Sequence, residues 1–108
     1  MNDRYIIKCI SLKNIETQRT CDDNIIAGKE YWYNPEAQSF WTTGQLDLMH
    51  KFYPYKEFPR CYIPVTKLEN NAKIFKKLAT AKDHVKIIEN TEYFKCEIYR
   101  IITTIEKL

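Results

Sequence analysis

The four cysteines, Cys9, Cys21, Cys61 and Cys96, are the residues of this sequence best suited to metal binding or redox chemistry. They are separated by 12, 40 and 35 positions, so the chain has no Cys-x-x-Cys pair. A zinc site normally contains two such close pairs, because a tight turn presents two thiolates to one ion. We therefore expect no metal and no cofactor, although four distant cysteines could still assemble a site. The simpler expectation is that Cys9, Cys61 and Cys96 are small buried side chains of strands, with reduced thiols.

The two histidines suggest acid–base catalysis as a second possibility. His50 follows Asp47 by three positions and His84 follows Asp83 directly, and a neighbouring carboxylate can orient an imidazole. Such pairs are common, so we expect both histidines to be ordinary polar residues near strand ends. The sequence has no nucleophile elbow, and its 2 glycines cannot form a Walker or dinucleotide-binding loop. We therefore predict no catalytic residues and a protein that is not an enzyme.

The aromatic residues are concentrated in one part of the chain, because ten of the 15 lie within residues 31–62. Neighbours along a strand point to opposite faces, so the consecutive rings at 31–33 cannot all enter one core. Exposed rings could anchor a protein partner or stack on bases, whereas rings that merely cover a thin core would have no binding role. The predicted partner-binding residues are Trp32, Trp41, Tyr53 and Tyr55.

The net charge of +3 is too small to imply nucleic acid by itself, but its distribution is uneven. Residues 1–66 carry eight basic and eight acidic residues, whereas residues 67–108 carry nine and six. A basic surface there would suit phosphates or an acidic partner, although a solvated helix face is the simpler explanation. The alternative nucleic-acid site lies in the basic region 67–86 and consists of Lys73, Lys76 and Lys77.

The elements that would position these residues begin with two predicted strands. β-Branched residues indicate a strand over 4–10. A second strand over 29–33 follows Gly28, which marks a turn with positive φ. Residues 40–43 are expected to pair with this second strand as a hairpin.

Prolines determine what is expected of the middle of the chain. Pro54 and Pro59 predict an extended or turn-like segment over 51–60. Pro64 indicates that a strand over 61–65 lies at a sheet edge, because proline cannot donate to a central ladder.

The clearest helix signal begins at Thr66, which forms a T-x-x-E capping box with Glu69. Apolar residues then recur at helical spacing, and this pattern predicts a helix over 67–79 with one buried face. The residues of that face are Leu68, Ala72, Phe75 and Ala79.

Residues 93–108 fit either a strand or a helix. Phe94, Cys96, Ile98 and Ile102 would share one face of a strand. The residues that follow helical spacing are Phe94, Ile98, Ile101, Ile105 and Leu108. The high β-branched content favours a strand over 93–103, which we expect to form a hairpin spanning 84–103.

Residues 5–33 resemble the beginning of small SH3-like β-barrel proteins encoded by phages and prophages of low-GC Gram-positive bacteria. The first strand of those proteins is similar to residues 7–10 (IKCI), and their second strand opens like residues 28–31 (GKEY), after a polar loop. The resemblance implies a phage accessory protein, a class that includes inhibitors of host defence. It names no target.

These observations predict an α+β fold in one domain of residues 1–108. The expected architecture is a small, mostly antiparallel sheet or a partly open SH3-like barrel, with one helix over 67–79 packed against it. No apolar run approaches the roughly 20 residues that span a bilayer. The beginning of the chain also lacks the apolar stretch of a signal peptide. We therefore expect a cytoplasmic protein without membrane contact.

The expected function is non-enzymatic binding by a phage-type accessory protein that inhibits or sequesters a host component. Its partner would be a host protein or a small signalling nucleotide. Direct nucleic-acid binding is the alternative, and a structural virion or assembly protein is a third interpretation. An exposed aromatic patch and an edge strand are also compatible with a homodimer.

Overall fold

The structure is a computed structural model that describes residues 3–18, 23–43, 46–54, 61–102 and 105–108. Its helices and strands are β1 (Arg4–Ser11), β2 (Glu30–Tyr33), α1 (Leu46–Phe52), β3 (Val65–Thr66), α2 (Leu78–Asn90), β4 (Phe94–Ile101) and β5 (Ile105–Lys107). Together they confirm the predicted α+β class. Within the described ranges, no helix is long and apolar enough to cross a membrane.

The five strands form one antiparallel sheet in the order β3-β2-β1-β4-β5. The central strand is β1, which pairs with β2 on one side and with all eight residues of β4 on the other. The outermost strands are β3 and β5, which do not pair with each other. Of the two expected architectures, the structure therefore has the open antiparallel sheet.

Both α-helices pack against the same face of this sheet. Alternate residues of the strands supply its buried side chains, among them Cys9 of β1 and Phe94 of β4. The ring of Phe52 in α1 lies 6.0 Å from that of Phe94, and Ala81 and Ile88 of α2 are buried in the same cluster. The opposite face, which we call the outer face, is covered by neither helix.

The prediction of a helix over 67–79 is wrong, because the main helix is α2 (Leu78–Asn90). Residues 69–71 form a single 3-10 turn whose first residues receive no side-chain cap. Thr66 belongs to β3, so the capping box with Glu69 does not form.

Tertiary packing of Phe75 explains why the helical pattern failed. The backbone of Phe75 is extended and forms a bridge with Tyr5, in which each amide nitrogen lies 2.8 Å from the other residue's carbonyl oxygen. The Phe75 ring also stacks on Tyr33, with centroids 6.2 Å apart. Burial of this ring against the sheet therefore outweighs the local preference for a helix.

The predicted hairpin over 84–103 is also wrong, since residues 84–88 lie inside α2. Its second half is confirmed, because β4 (Phe94–Ile101) lies within the predicted strand. The strand partners of β4 are β1 and β5 rather than residues 84–88. Glu92, in the turn from α2 to β4, has a positive φ of 67°.

The predictions for the first two strands hold. Both strands are present as β1 and β2, and Gly28 has a φ of 86°. Residues 40–43 form no hairpin with β2, however, because β3 occupies that position and Trp41 makes an isolated bridge with Tyr62. The strand predicted over 61–65 is wrong for 61–64, where Tyr62 makes only an isolated bridge. Val65 belongs to β3, which lies at a sheet edge as expected.

The short helix α1 was not predicted, and the prediction of an extended or turn-like segment over 51–60 is wrong for its first two residues. Residues 51 and 52 belong to its last turn. Residues 55–60 lie outside the described residues.

Candidate binding face

The centre of the outer face is a contact among one cation and two rings, which we call the Trp32–Lys8–Tyr99 cluster. Lys8 of β1 lies directly opposite Trp32 of β2. Its Nζ atom is 5.4 Å from the Trp32 ring centroid and 4.8 Å from the Tyr99 ring centroid. The two rings are themselves 5.7 Å apart at an angle of 63°. Cation–π attraction and ring contact therefore hold all three side chains together.

Ion pairs balance the charges around this cluster. Glu30 lies 3.3 Å from the Lys8 ammonium, and Lys107 forms an ion pair with Glu97. Hydrogen bonding to Tyr99, assisted by Glu30, raises the pKa of Lys8 although burial opposes the shift. Hydrogen bonding from Lys107 lowers the pKa of Glu97. The two ion pairs therefore bring opposite charges together beside the cluster, where they largely offset each other.

Isoleucines surround the cluster and make much of the outer face apolar. Ile6, next to Lys8 on the same face of β1, is almost fully buried, with 2% exposure. Ile74 lies one residue before the bridged Phe75, so alternation places it on the outer face, where it is 49% exposed. Ile105 on β5 is 45% exposed. The outer face thus combines a rigid aromatic centre with accessible aliphatic side chains.

Of the four predicted partner-binding residues, Trp32 alone lies on the outer face among those that the structure describes. Trp41 is half-buried against the core on the other side, with its ring 5.4 Å from that of Tyr62. Its indole Nε1 donates to the carbonyl oxygen of Gln38 at 2.8 Å. Trp41 is therefore held by contacts at the edge of the core, and its side chain does not lie beside Trp32 on the outer face.

The prediction that Tyr53 is a surface anchor is wrong. Tyr53 follows α1 directly and is only 6% exposed, with its ring 5.9 Å from that of Tyr62. Its backbone nitrogen donates to the carbonyl oxygen of Met49 in α1, so the end of that helix directs Tyr53 into the core. Tyr55, the fourth predicted residue, lies outside the described residues.

The three lysines of the alternative site do not share a helix face as the predicted helix required. Lys73 belongs to the extended segment, and its Nζ lies 5.5 Å from the Phe75 ring on the helix-covered side. Lys76 and Lys77 are exposed and precede α2, with Lys77 at its N-cap. Cations at a helix N-terminus oppose the helix dipole, whereas the sequence pattern had placed them near a C-terminus.

His84 connects α2 to the sheet and takes no part in the outer face. Its Nδ1 lies 2.8 Å from the hydroxyl oxygen of Tyr33, and its ring lies 4.9 Å from that of Phe75. Burial lowers the pKa of His84, and the charge of Lys73 contributes in the same direction, whereas Asp83 opposes it. The expectation that both histidines lie near strand ends is wrong, because His84 lies in α2 and His50 in α1. The contacts of His84 with Tyr33 and Phe75 are structural ones.

The cysteines are distributed differently from the prediction. Cys9 is buried and Cys96 is half-buried, whereas Cys61 is exposed, so the expectation of a buried Cys61 is wrong. The sulfur atoms of Cys9 and Cys96 are 3.7 Å apart. Cys21 lies outside the described residues. In the described part of the chain, no three His, Cys, Asp or Glu side chains converge in a way that could hold a metal ion.

A cleft of about 260 Å³ lies between residues 39–40 and residues 66–71, and it includes Thr66 of β3. Small-molecule sites usually measure roughly 300–1,000 Å³. The ammonium of Lys67, which lines the cleft, forms an ion pair with Asp23. The cleft is therefore small and offers little free positive charge to a nucleotide.

Trp32 is the residue of the outer face that the sequence pattern singled out. Lys8 and Tyr99 were not predicted as part of this face, and the partial alternation of β1 and β4 was the available signal. Comparison with protein-family models, with curated proteins and with solved structures finds no match for this chain. The resemblance of residues 5–33 to phage proteins therefore stays a prediction.

Proposed function

We propose that this chain is a small non-enzymatic binding protein that docks a partner protein on the outer face of its sheet. The observation that carries the proposal is the Trp32–Lys8–Tyr99 cluster, which lies at the centre of a sheet face covered by neither helix. Aromatic side chains held rigid by their neighbours lose little entropy on binding and are frequent hot spots of protein interfaces.

The paired charges around the Trp32–Lys8–Tyr99 cluster favour a protein over nucleic acid at the centre of the outer face, whereas exposed Arg4 and Lys95 make part of its surroundings basic. Both acidic side chains near the cluster, Glu30 and Glu97, are paired with lysines. A groove that follows a phosphate backbone needs a positive excess, whereas the core of a protein interface is depleted of net charge. Exposed Ile74 and Ile105 add apolar area that a protein partner would bury and a phosphate backbone would not.

The biological role proposed is that of a phage-type accessory protein that blocks or sequesters a component of host defence. The resemblance of residues 5–33 to phage proteins supports this role, and so does a surface suited to binding rather than to catalysis. Docking by the outer face would inhibit the partner by covering its surface, so no reaction is required of this chain.

The test is a pull-down from a bacterial lysate with the tagged wild-type chain and two matched variants. Trp32→Ala removes the centre of the outer face, whereas Trp41→Ala removes a half-buried tryptophan elsewhere. The proposal requires one protein that the wild type and Trp41→Ala both capture and that Trp32→Ala loses while remaining folded. Capture that Trp32→Ala retains would place the binding site elsewhere.

A direct nucleic-acid interaction is tested with the same variants, with Lys76→Ala and Lys77→Ala in addition, and with a labelled single-stranded oligonucleotide. Rings on an open sheet face can stack on bases, and so Trp32 and Tyr99 give this alternative its structural support. Tight binding that falls steeply with salt, and that Lys76→Ala or Lys77→Ala weakens, would contradict docking of a protein. Protein capture that persists at 0.5 M salt would support docking.

A further inference from the structure

Cys9 and Cys96 face each other across the two longest strands of the sheet. They are directly opposite in the β1–β4 register, and their Sγ atoms are 3.7 Å apart on the helix-covered face. The two residues are 87 positions apart in the chain, and this separation explains why the spacing of the cysteines gave no sign of a pair.

The pair belongs to the closer of the two kinds of antiparallel pairing. Tyr5 and Ser11, on the same edge of β1 as Cys9, donate their amides to the β2 side, to residues 75 and 29. The amide of Cys96 donates at 3.0 Å to the Glu89 carboxylate of α2 rather than to β1. Cys9 and Cys96 are thus a non-hydrogen-bonded pair, in which Cα atoms lie about 4.5 Å apart. That separation is within the disulfide range of about 4.4–6.8 Å.

We propose that Cys9 and Cys96 form a site of reversible oxidation, at which a hydroperoxide converts the two thiols into a cross-strand disulfide. The sulfur atoms need to approach by about 1.7 Å to reach bonding distance, and rotation about the side-chain bonds supplies such a movement without separating the strands. This inference does not depend on the proposed binding function.

The two cysteines have different roles in the reaction. The Cys96 thiolate attacks the peroxide, the O–O bond breaks, and the Cys96 sulfur becomes a sulfenic acid, while the hydroxide that leaves takes up the proton released when Cys96 ionised and becomes water. The Cys9 thiol then loses its proton as its sulfur attacks the sulfenic acid, the S–O bond breaks, and the departing hydroxide takes that proton and leaves as a second water. Two thiols and one hydrogen peroxide thus give one disulfide and two waters, with two electrons passing from sulfur to peroxide.

Burial determines which cysteine reacts first. Cys96 is partly exposed and meets the peroxide, whereas Cys9 is completely buried. Burial raises the pKa of the Cys9 thiol, and the contact with Cys96 and the charge of Glu89 act in the same direction. Cys9 is therefore a poor primary target, but it is held in contact with the sulfur that it must attack.

The test uses the full chain with Cys21→Ser and Cys61→Ser, so that Cys9 and Cys96 are its two thiols. After treatment of the folded protein with hydrogen peroxide, we expect the intact mass to fall by the two hydrogens of one disulfide. A non-reduced digest should contain a linked Cys9–Cys96 peptide, which dithiothreitol separates. Monomers that retain two free thiols, disulfide-linked dimers, or sulfinic acid at Cys96 would each overturn the proposal.

A third substitution, Cys9→Ala, isolates the first step. Dimedone, which traps sulfenic acids, should label Cys96 in this variant and should label the two-cysteine protein at least tenfold less. If Cys9→Ala does not fold, the presence or absence of the linked Cys9–Cys96 peptide from the two-cysteine protein decides by itself whether the disulfide forms. Equal labelling of the two folded proteins would show that Cys9 does not resolve the sulfenic acid.

Discussion

The hydroxyl oxygen of Tyr33 and Nδ1 of His84 lie 2.8 Å apart, and this contact joins the end of β2 to the middle of α2. Both partners are shielded from water: Tyr33 is buried and His84 is half-buried beneath the Phe75 ring. A charged imidazole is disfavoured there, so the pKa of His84 lies below its ordinary value of 6.5.

The lowered pKa of His84 predicts that the folded protein loses stability in mild acid. The unfolded chain takes up a proton near the ordinary pKa of 6.5, whereas the folded chain does so at lower pH. The free energy of unfolding should therefore keep its full value above pH 6.5. It should decrease as the pH falls through the pKa that His84 has in the folded protein. Urea melts at pH 7.5 and 5.5 measure the difference in unfolding free energy between the two pH values. His84→Gln should reduce this difference, whereas the control His50→Gln, in α1, should leave it unchanged. An unchanged difference in His84→Gln would contradict the assignment.

Two alanines in α2 distinguish the observed helix from the predicted one. Ala81 is completely buried, whereas Ala79, which belonged to the buried face of the predicted helix, is exposed. Ala81→Leu should overpack the core and cost about 1–3 kcal/mol of unfolding free energy. Ala79→Leu should change it by less than about 0.5 kcal/mol, as exposed substitutions usually do. Chemical denaturation of both variants is the measurement. A larger loss of unfolding free energy in Ala79→Leu than in Ala81→Leu would favour the predicted helix face over the observed one.

Glu69→Ala should be nearly neutral for folding. A true capping box at Thr66 and Glu69 would make either substitution cost about 1 kcal/mol. Glu69 is exposed in a 3-10 turn that lacks a side-chain cap, so its removal should change the free energy of unfolding by less than about 0.5 kcal/mol. A loss of 1 kcal/mol or more in urea melts would show that the cap exists.

Trp32→Ala should weaken partner binding far more than it weakens the fold. A central aromatic anchor contributes about 2 kcal/mol, so the dissociation constant of the captured partner should rise about 30-fold. Trp41→Ala should leave that constant within twofold, because Trp41 is absent from the outer face. Calorimetry with the purified partner measures both values. Equal weakening by the two variants would indicate a general loss of structure rather than a lost contact.

Local patterns in the sequence predicted the elements that depend on near neighbours. β-Branched residues predicted β1 and β4, and Gly28 predicted the turn before β2. Alternation along β2 also explains why Trp32 lies opposite in direction to Tyr31 and Tyr33, which are buried.

Features that depend on distant pairing were not predictable in the same way. Trp32 and Tyr99 are far apart in the chain, but their strands pair with opposite sides of β1, and this pairing brings the two rings into contact on one face. Phe75 has helical spacing in the sequence, but in the structure its backbone is extended, pairs with Tyr5 and brings its ring onto Tyr33. No local pattern contains that pairing, so neither the extended segment nor the composition of the cluster could be derived from spacing.

The central position of β1 has a consequence for synthesis of the chain. β1 precedes the other described strands in the chain, yet one of its two neighbours, β4, begins only at Phe94. Until the ribosome has released β4, one edge of β1 carries an unsatisfied ladder of hydrogen-bonding groups next to apolar side chains. Contacts across so long a stretch of chain form slowly because loop closure comes first. The pairing of β1 is therefore completed only after translation has passed β4. Until then, the unpaired edge of β1 is the segment that a chaperone would need to protect.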